Sequence, residues 1–305
     1  MSILDTFKQR TTSPGRRPPV AVELAPEGVL AATVPAPGAG LVAAFAPLPA
    51  GAVIPGIADA NLRAPEAVTS ALRSALDQVA PRSRSVTLVI PDTVARVFVL
   101  DFDSLPAKTA EAIPVLRFRL RKVVPFDVEQ AALSYQILSH ARHAVKVLAI
   151  LMPSSILSEY EGAVRAAGYE PGAVLPAALA ALATSDSSEP ILAVNLTGTS
   201  LTTAIAAGNE LLLYRTLDLP EAPETRLAEV QRGVAVAMAY YEDRLITRPA
   251  QLYYAGSVAA RAFAQAVAET ELPVVELVPT PASGAVTALG PIGFAGVTGA
   301  LAGAV

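Results

Sequence analysis

Two distant stretches of the chain share one pattern, in which a strand is followed by a polar turn and a second strand. They read PVAVELAPEGVLAAT at 19–33 and PILAVNLTGTSLTTA at 190–204, and they superimpose as strand, turn and strand. Self-similarity at such a long spacing indicates duplication of one supersecondary unit, not a short-period solenoid. The chain is therefore expected to fold as two related halves, each of which opens with a β-hairpin.

Strand and helix patterns alternate after each hairpin, which favours an α/β fold with a cleft between its two halves. Helical stripes are predicted at 65–80, 108–124 and 222–245. The polar run TSDSSEP is the clearest linker. The predicted organisation is a flexible lead-in at 1–18, a first domain at 19–183 with an extra subdomain at about 100–152, a linker at 184–190, and a second domain at 191–305 whose last helix can return to the first.

The amino-acid composition limits the kinds of partner and site that the chain is expected to have. Of the 305 residues 52% are hydrophobic and 16% charged, and the net charge is -4, which favours a packed core and argues against a nucleic-acid partner. The chain has no Cys, which excludes disulfides and thiolate metal sites. Residues 278–305 carry no charge, but their Gly, Ala and Pro content predicts a buried helix and loop in a soluble protein, not a membrane span.

A family resemblance rests on the stretch LRFRLRKVVPFDVEQAALSYQIL at 116–138. Together with the two hairpin-led halves, it resembles the PilM branch of the actin/Hsp70/sugar-kinase superfamily, the actin-like proteins of type IV pilus assembly, and the related cytoplasmic part of the type II secretion protein GspL. The matching elements are a VPF run, an acidic residue and a Ser-Tyr-Gln strand. The resemblance implies an actin-like, duplicated two-domain fold with a cleft and a small extra subdomain.

The same resemblance implies a role and a partner. A PilM-like protein would be a non-enzymatic adaptor in the cytoplasm, at the inner face of the cytoplasmic membrane. It would bind the short, extended, apolar and Asn-containing tail of a PilN-like inner-membrane protein and contact other pilus platform proteins. Such a peptide groove combines apolar pockets with backbone pairing. The residues expected to bind the partner lie in the extra subdomain; they are Phe118, Arg121, Val124, Phe126 and Tyr135.

The nucleotide loops of the superfamily are altered in this chain. Where the first phosphate loop normally reads Asp-x-Gly, the residues are Glu23 and Ala25, and Leu30 stands where many PilM proteins have Lys. No cofactor is therefore expected, with Mg-ATP as the alternative. If nucleotide is retained, the residues that would hold it are Glu23, Asn195, Thr197, Gly198, Thr199 and Gly256.

Three alternatives to the adaptor remain open. The chain could be an ATP-binding conformational switch of the same family, or a small-molecule kinase, although no Asp base facing the cleft is evident. A filament former like FtsA would need a terminal amphipathic helix, which only residues 2–8 could supply. No catalytic residue and no metal site is predicted, because His140 and His143 fall in a predicted turn. The basic run at 117–122 is expected to be a solvated face or to pair with nearby acids, with anionic lipid as the less favoured interpretation.

Overall fold

The computed structural model describes residues 17–35, 39–141, 143–185, 187–208, 210–278 and 292–302. Within these ranges the chain forms two five-stranded sheets, one three-stranded sheet and seven α-helices. The strands are β1 Val20–Ala25, β2 Gly28–Thr33, β3 Val42–Pro47, β4 Ser85–Ile90, β5 Arg96–Phe102, β6 Ala131–Ala141, β7 Ala144–Pro153, β8 Glu170–Pro176, β9 Ile191–Leu196, β10 Ser200–Ala207, β11 Glu210–Asp218, β12 Leu252–Gly256 and β13 Val274–Glu276. The helices are α1 Pro65–Gln78, α2 Thr109–Leu120, α3 Ser154–Ala166, α4 Ala177–Leu182, α5 Pro223–Leu245, α6 Ala260–Ala266 and α7 Ala295–Ala302.

The two five-stranded sheets have the same topology. The first runs β3-β2-β1-β4-β8 and the second β11-β10-β9-β12-β13. In each sheet three antiparallel strands are extended by two parallel ones. The duplication inferred from the repeat is therefore confirmed. The two hairpins differ in one respect: Ala25 pairs with Gly28 across a two-residue turn, whereas Leu196 pairs with Leu201, so the second turn is two residues longer.

Alternating side chains give each sheet two buried faces. In the first sheet, Val20, Val22 and Leu24 pack against α1 and α3. Ala21, which lies between these positions on β1, and Leu30 on β2 face the other way and pack against α4 and α7. Because successive strand residues point to opposite faces, Glu23 shares the face of Ala21, which is turned towards the cleft.

The second lobe follows the same rule. Leu192 and Val194 pack against α5 and α6, and Tyr254 stacks on Phe263 with ring centroids 4.5 Å apart. The opposite face carries Ala193 and meets the extra subdomain and α4. Asn195 shares that face, so the two strands that open the lobes both present polar side chains to the space between them.

The three-stranded sheet β5-β7-β6 lies between β4 and β8 in the chain. Helix α2 covers one face of this sheet through Leu116 and Leu120. The other face packs on the second lobe, where Lys146 forms a 2.8 Å ion pair with Glu210. The extra subdomain expected from the sequence is thus a small α/β layer seated against the second lobe.

The last described helix, α7, returns to the first lobe. It packs against α4 and the first sheet through Val297, Ala300 and Leu301. Its Gly299 lies so close to α4 that an added Cβ would stand 1.8 Å from the backbone oxygen of Ala180. The buried helix expected near the end of the chain is confirmed, while residues 279–291 and 303–305 lie outside the described residues. No helix within the described ranges is long and apolar enough to cross a membrane.

Two local features differ from the sequence analysis. The helix predicted at 108–124 ends at Leu120, and Val123, just past its end, is 59% exposed. Strand β8 was not predicted, because Pro171 and Gly172 resemble a loop; parallel pairing with β4 holds this segment extended.

Candidate functional site

The cleft between the lobes is lined by the ends of β1, β4, β9 and β12 together with residues of α4 and α7. It contains three acidic side chains, those of Glu23, Glu27 and Asp92, and the described residues that line it include no Lys or Arg. The cavity measures about 40 Å³, well below the several hundred Å³ typical of small-molecule sites. The cleft is therefore narrow and acidic.

Asp92 lies at the centre of this cleft, in a short 3₁₀ turn directly after β4, and is only 3% exposed. Its Oδ1 accepts hydrogen bonds from the backbone N–H of Ala178 at 3.0 Å and from the hydroxyl of Tyr214 at 2.8 Å. Its Oδ2 accepts from Asn195 Nδ2 and Thr202 Oγ1, both at 3.0 Å. One carboxylate of the first lobe therefore holds three side chains of the second, and we call this set of contacts the Asp92 latch.

The Asp92 latch leaves no acceptor position free. An ionised carboxylate offers about four lone-pair sites, and four donors occupy them. Burial raises the pKa of Asp92, whereas the four hydrogen bonds act in the opposite direction. No Asp base facing the cleft was found from the sequence, and Asp92 is an Asp that does line it. This Asp nevertheless holds the lobes together and has no free lone pair with which to take a proton from a substrate.

Glu23 is the second buried acid of the cleft. Part of its side chain reaches solvent, but its Oε2 is sealed from water and has no hydrogen-bond partner. Gly296 of α7 lies against it, since a Cβ there would stand 2.3 Å from Glu23 Oε2. Burial, followed by the charges of Asp92 and Glu27, raises the pKa of Glu23 to about 8. The raised pKa favours the protonated form of Glu23 compared with an exposed glutamate.

The second phosphate loop of the superfamily corresponds to residues 195–199, between β9 and β10. Its side chains hydrogen-bond within this turn or to the first lobe. Asn195 donates to Asp92. Thr197 Oγ1 accepts from the backbone N–H groups of Thr199 and Ser200 at 3.3 and 3.0 Å. Gly198 lies at the tip of this turn, where an added Cβ would be 3.5 Å from Glu27 Oε1 of the facing lobe. These groups serve the hairpin and the contact between the lobes.

Gly256 ends β12 with a φ of 132°, a conformation that favours glycine. A Cβ at this position would stand 2.1 Å from the backbone oxygen of Leu196. The glycine is thus required by the close approach of β12 to β9, whether or not a ligand is bound.

The residues present do not fit Mg-ATP. Asn195 is occupied by Asp92, the raised pKa of Glu23 weakens it as a metal ligand, and Leu30 is fully buried where a lysine would be expected. A triphosphate would also meet the acidic side chains of Glu27 and Asp92 without a Lys or Arg among the described lining residues to offset its charge. The described residues also contain no group of three or more acidic, His or Cys side chains that could hold a metal.

The residues expected to bind a partner fall into two groups. Val124, Phe126 and Tyr135 belong to the core under α2, with Val124 9% exposed and the two aromatic rings partly buried. Phe118 is 73% exposed, and the guanidinium of Arg121 lies over its ring at 5.7 Å from the centroid. The two groups therefore differ in exposure: the first contributes to the subdomain core, and the second is open to solvent.

Sequence reasoning missed Asp92 and Glu27 as cleft residues. The available signal was positional: Pro91-Asp92 directly follows the buried strand β4. In open α/β sheets, ligands bind in the crevice outside the carboxyl ends of the parallel strands. His140 was predicted in the turn, but it lies at the exposed end of β6, paired with Val145, because the hairpin is tighter than expected; His143 lies in the turn and is exposed.

The two duplicated sheets and the cleft between them form an actin-like fold. No protein-family model and no curated protein sequence matches the chain. Among solved structures, it superimposes on a chain of the PilM-PilN type IV pilus biogenesis complex with a TM-score of 0.76 and 17% identity, over 95% of this chain and 99% of that one. The PilM-like, actin-like fold expected from the sequence is thereby confirmed.

Two further structures support the same class. The cytoplasmic domain of EpsL, an inner membrane component of the type II secretion system of Vibrio cholerae, matches with a TM-score of 0.50 and 14% identity, over 78% of this chain and 81% of that one. A Bacteroides thetaiotaomicron protein with an actin-like ATPase fold matches with a TM-score of 0.51 and 11% identity, over 84% and 89%. At these identities the likeness is one of fold.

Proposed function

We propose that the chain is a non-enzymatic adaptor in the assembly platform of a type IV pilus or a type II secretion-like system, at the inner face of the cytoplasmic membrane. The observation that carries this proposal is the Asp92 latch, because it fills the cleft with the chain's own hydrogen bonds. The platform role is supported by the likeness to a chain of the PilM-PilN complex and to the EpsL domain.

The latch argues against nucleotide-driven opening of the cleft. Separating the lobes would break the hydrogen bonds from Asn195, Thr202 and Tyr214 to Asp92, each of which contributes about 0.5–1.5 kcal/mol net, and about twice that where the acceptor is charged. A ligand that enters the cleft would have to offset that loss as well as the repulsion from Glu27 and Asp92. We therefore propose that the chain uses no cofactor, and that the cleft keeps the lobes at one angle.

The partner we propose is the cytoplasmic tail of a PilN-like inner-membrane protein. An extended apolar peptide needs an apolar wall and a neighbouring backbone edge. The extra subdomain offers Phe126 and Tyr135, which are partly exposed above the core that contains Val124. Strand β6 is an outer strand of its sheet. These aromatic side chains are the proposed peptide contacts.

The test is the affinity for a fluorescent peptide with the sequence of the PilN-like tail encoded in the same genome, measured by anisotropy. We expect micromolar binding that weakens about tenfold or more in Phe126→Ala and partly recovers in Phe126→Leu, since an aromatic anchor contributes on the order of 1.4 kcal/mol or more. Phe102→Ala is the matched control, because Phe102 is also partly buried in the same subdomain.

Thermal melts of all three variants separate loss of folding from loss of contact. If the wild-type protein does not bind the tail, or if Phe102→Ala weakens binding as much as Phe126→Ala, the proposed groove is wrong.

A further inference from the structure

The end of α2 forms an exposed surface that neither the cleft nor the proposed peptide groove uses. Phe118 is 73% exposed, and among the described residues it is the only phenylalanine classed as exposed. Val123, just past the helix end, is 59% exposed. The side chains of Arg119, Arg121 and Lys122 are exposed around them. We call these five residues the basic tip.

Helix geometry places the basic tip away from the protein core. The buried residues Leu116 and Leu120 face the subdomain sheet. At about 100° per residue, Phe118 lies on the side of the helix opposite to them. Core packing therefore does not account for an aromatic ring at this position.

Internal ion pairing does not account for the charges either. Across the described residues, Arg119, Arg121 and Lys122 form no salt bridge. Of the nearby acids, Glu111 pairs with Lys108, and Asp127 accepts a hydrogen bond from the backbone N–H of Glu129. The Arg121 guanidinium instead lies over the ring of Phe118. In a chain whose net charge is -4, three unpaired cations around two exposed apolar side chains form a local surface of opposite sign.

We propose that the basic tip binds the surface of an anionic phospholipid bilayer, with Phe118 and Val123 inserted at the headgroup boundary. Cations around an inserted aromatic ring complement this interface, where the ring is apolar and the headgroups are negative. Ile246 differs from the basic tip: it is 86% exposed, but its neighbour Arg248 is paired with Glu242. Asp243 offsets Arg244 in the same turn. The inference does not depend on binding of a PilN-like tail, because it needs lipid alone.

The test uses the absence of tryptophan from the chain. Phe118→Trp places a single fluorophore at the basic tip, and Tyr240→Trp places one at a partly exposed site on α5 as the matched control. We expect vesicles of mixed phosphatidylcholine and phosphatidylglycerol to shift the emission of Phe118→Trp to the blue, with less effect at high salt. Vesicles of phosphatidylcholine alone should leave it unchanged, as should either vesicle with Tyr240→Trp.

Charge variants identify the cause. Replacing Arg119, Arg121 and Lys122 with Gln in the Phe118→Trp protein lowers the net charge from -4 to -7 and should weaken vesicle binding about 100-fold, since each cation near an anionic surface contributes about 1 kcal/mol. The control replaces three exposed arginines elsewhere, Arg63, Arg82 and Arg261, and reaches the same net charge. This control protein should retain most of its binding to anionic vesicles.

Three outcomes would overturn the proposal. The first is no blue shift on anionic vesicles. The second is equal weakening by both triple replacements, which would mean that only net charge matters. The third is an equal blue shift with soluble poly-glutamate, which would mean that the basic tip recognises acidic polypeptides instead of a bilayer.

Discussion

The buried carboxyl group of Glu23 should make the protein less stable as the pH rises. In the unfolded chain this group loses its proton near its ordinary pKa of 4.5, whereas in the folded protein the pKa is about 8. Between these values the folded state holds a proton that the unfolded state does not. Stability from this group is therefore greatest at low pH and falls by about 1.4 kcal/mol per pH unit across the window.

The size of the effect follows from the structure. Between about pH 5 and pH 8 the full shift would remove roughly 4 kcal/mol. Because part of the Glu23 side chain reaches solvent although Oε2 does not, we expect about 1–3 kcal/mol. The Glu23→Gln side chain has no proton to lose. Between about pH 5 and pH 8, the free energy of unfolding of this variant should therefore fall by about 1–3 kcal/mol less than that of the wild type. Asp92 is present in both proteins, and the difference between them isolates Glu23.

The assay is urea unfolding of the wild type and of Glu23→Gln at several pH values from about 5 to about 8, with Glu66→Gln as the control because Glu66 is exposed on α1. The control should follow the wild type. Parallel pH profiles for the wild type and Glu23→Gln would refute the reasoning, since they would mean that the carboxyl group ionises in the folded protein as easily as in the unfolded chain.

The remaining predictions concern the latch and the packing of α7. Asp92→Ala should lower the free energy of unfolding by about 3–5 kcal/mol, because donors from two lobes lose their acceptor; a loss below about 1 kcal/mol in urea titrations would contradict the latch. Gly299→Ala should cost about 2 kcal/mol or more, because its Cβ would overlap the backbone of α4. Gly162→Ala, at an exposed site in α3 with no atom within 4 Å of the added Cβ, should instead raise stability by about 0.5–1 kcal/mol; thermal melts in which the two replacements act in the same direction would disprove this account of the packing.

Much of the fold could be predicted because its signals are local. Near-continuous apolar runs in the repeated hairpins predict strands buried on both faces, and the 3.6-residue periodicity of α1 and α5 predicts their buried stripes. Strand β8 escaped prediction because its Pro and Gly residues disfavour a strand locally, and only pairing with β4 overrides that preference.

The site was less predictable because it depends on contacts between distant residues. Glu23, Asn195 and Gly256 were expected in the cleft, and all three line it. Their role could not be read from the sequence, because the partner of Asn195 is Asp92, from the other lobe. In the sequence Tyr214 is an ordinary strand residue. Its hydroxyl reaches the carboxylate of Asp92 only because the two lobes pack together.

The measurement that tests the central claim most directly is a calorimetric titration of the folded, monodisperse protein with Mg-ATP. The account predicts no binding heat up to millimolar nucleotide, because the Asp92 latch and the acidic, cation-free lining oppose a triphosphate. Micromolar binding that is lost on replacing Asn195 or Gly256 would contradict it. The altered loops would then hold nucleotide, and the protein would be a switch instead of an adaptor with a closed cleft.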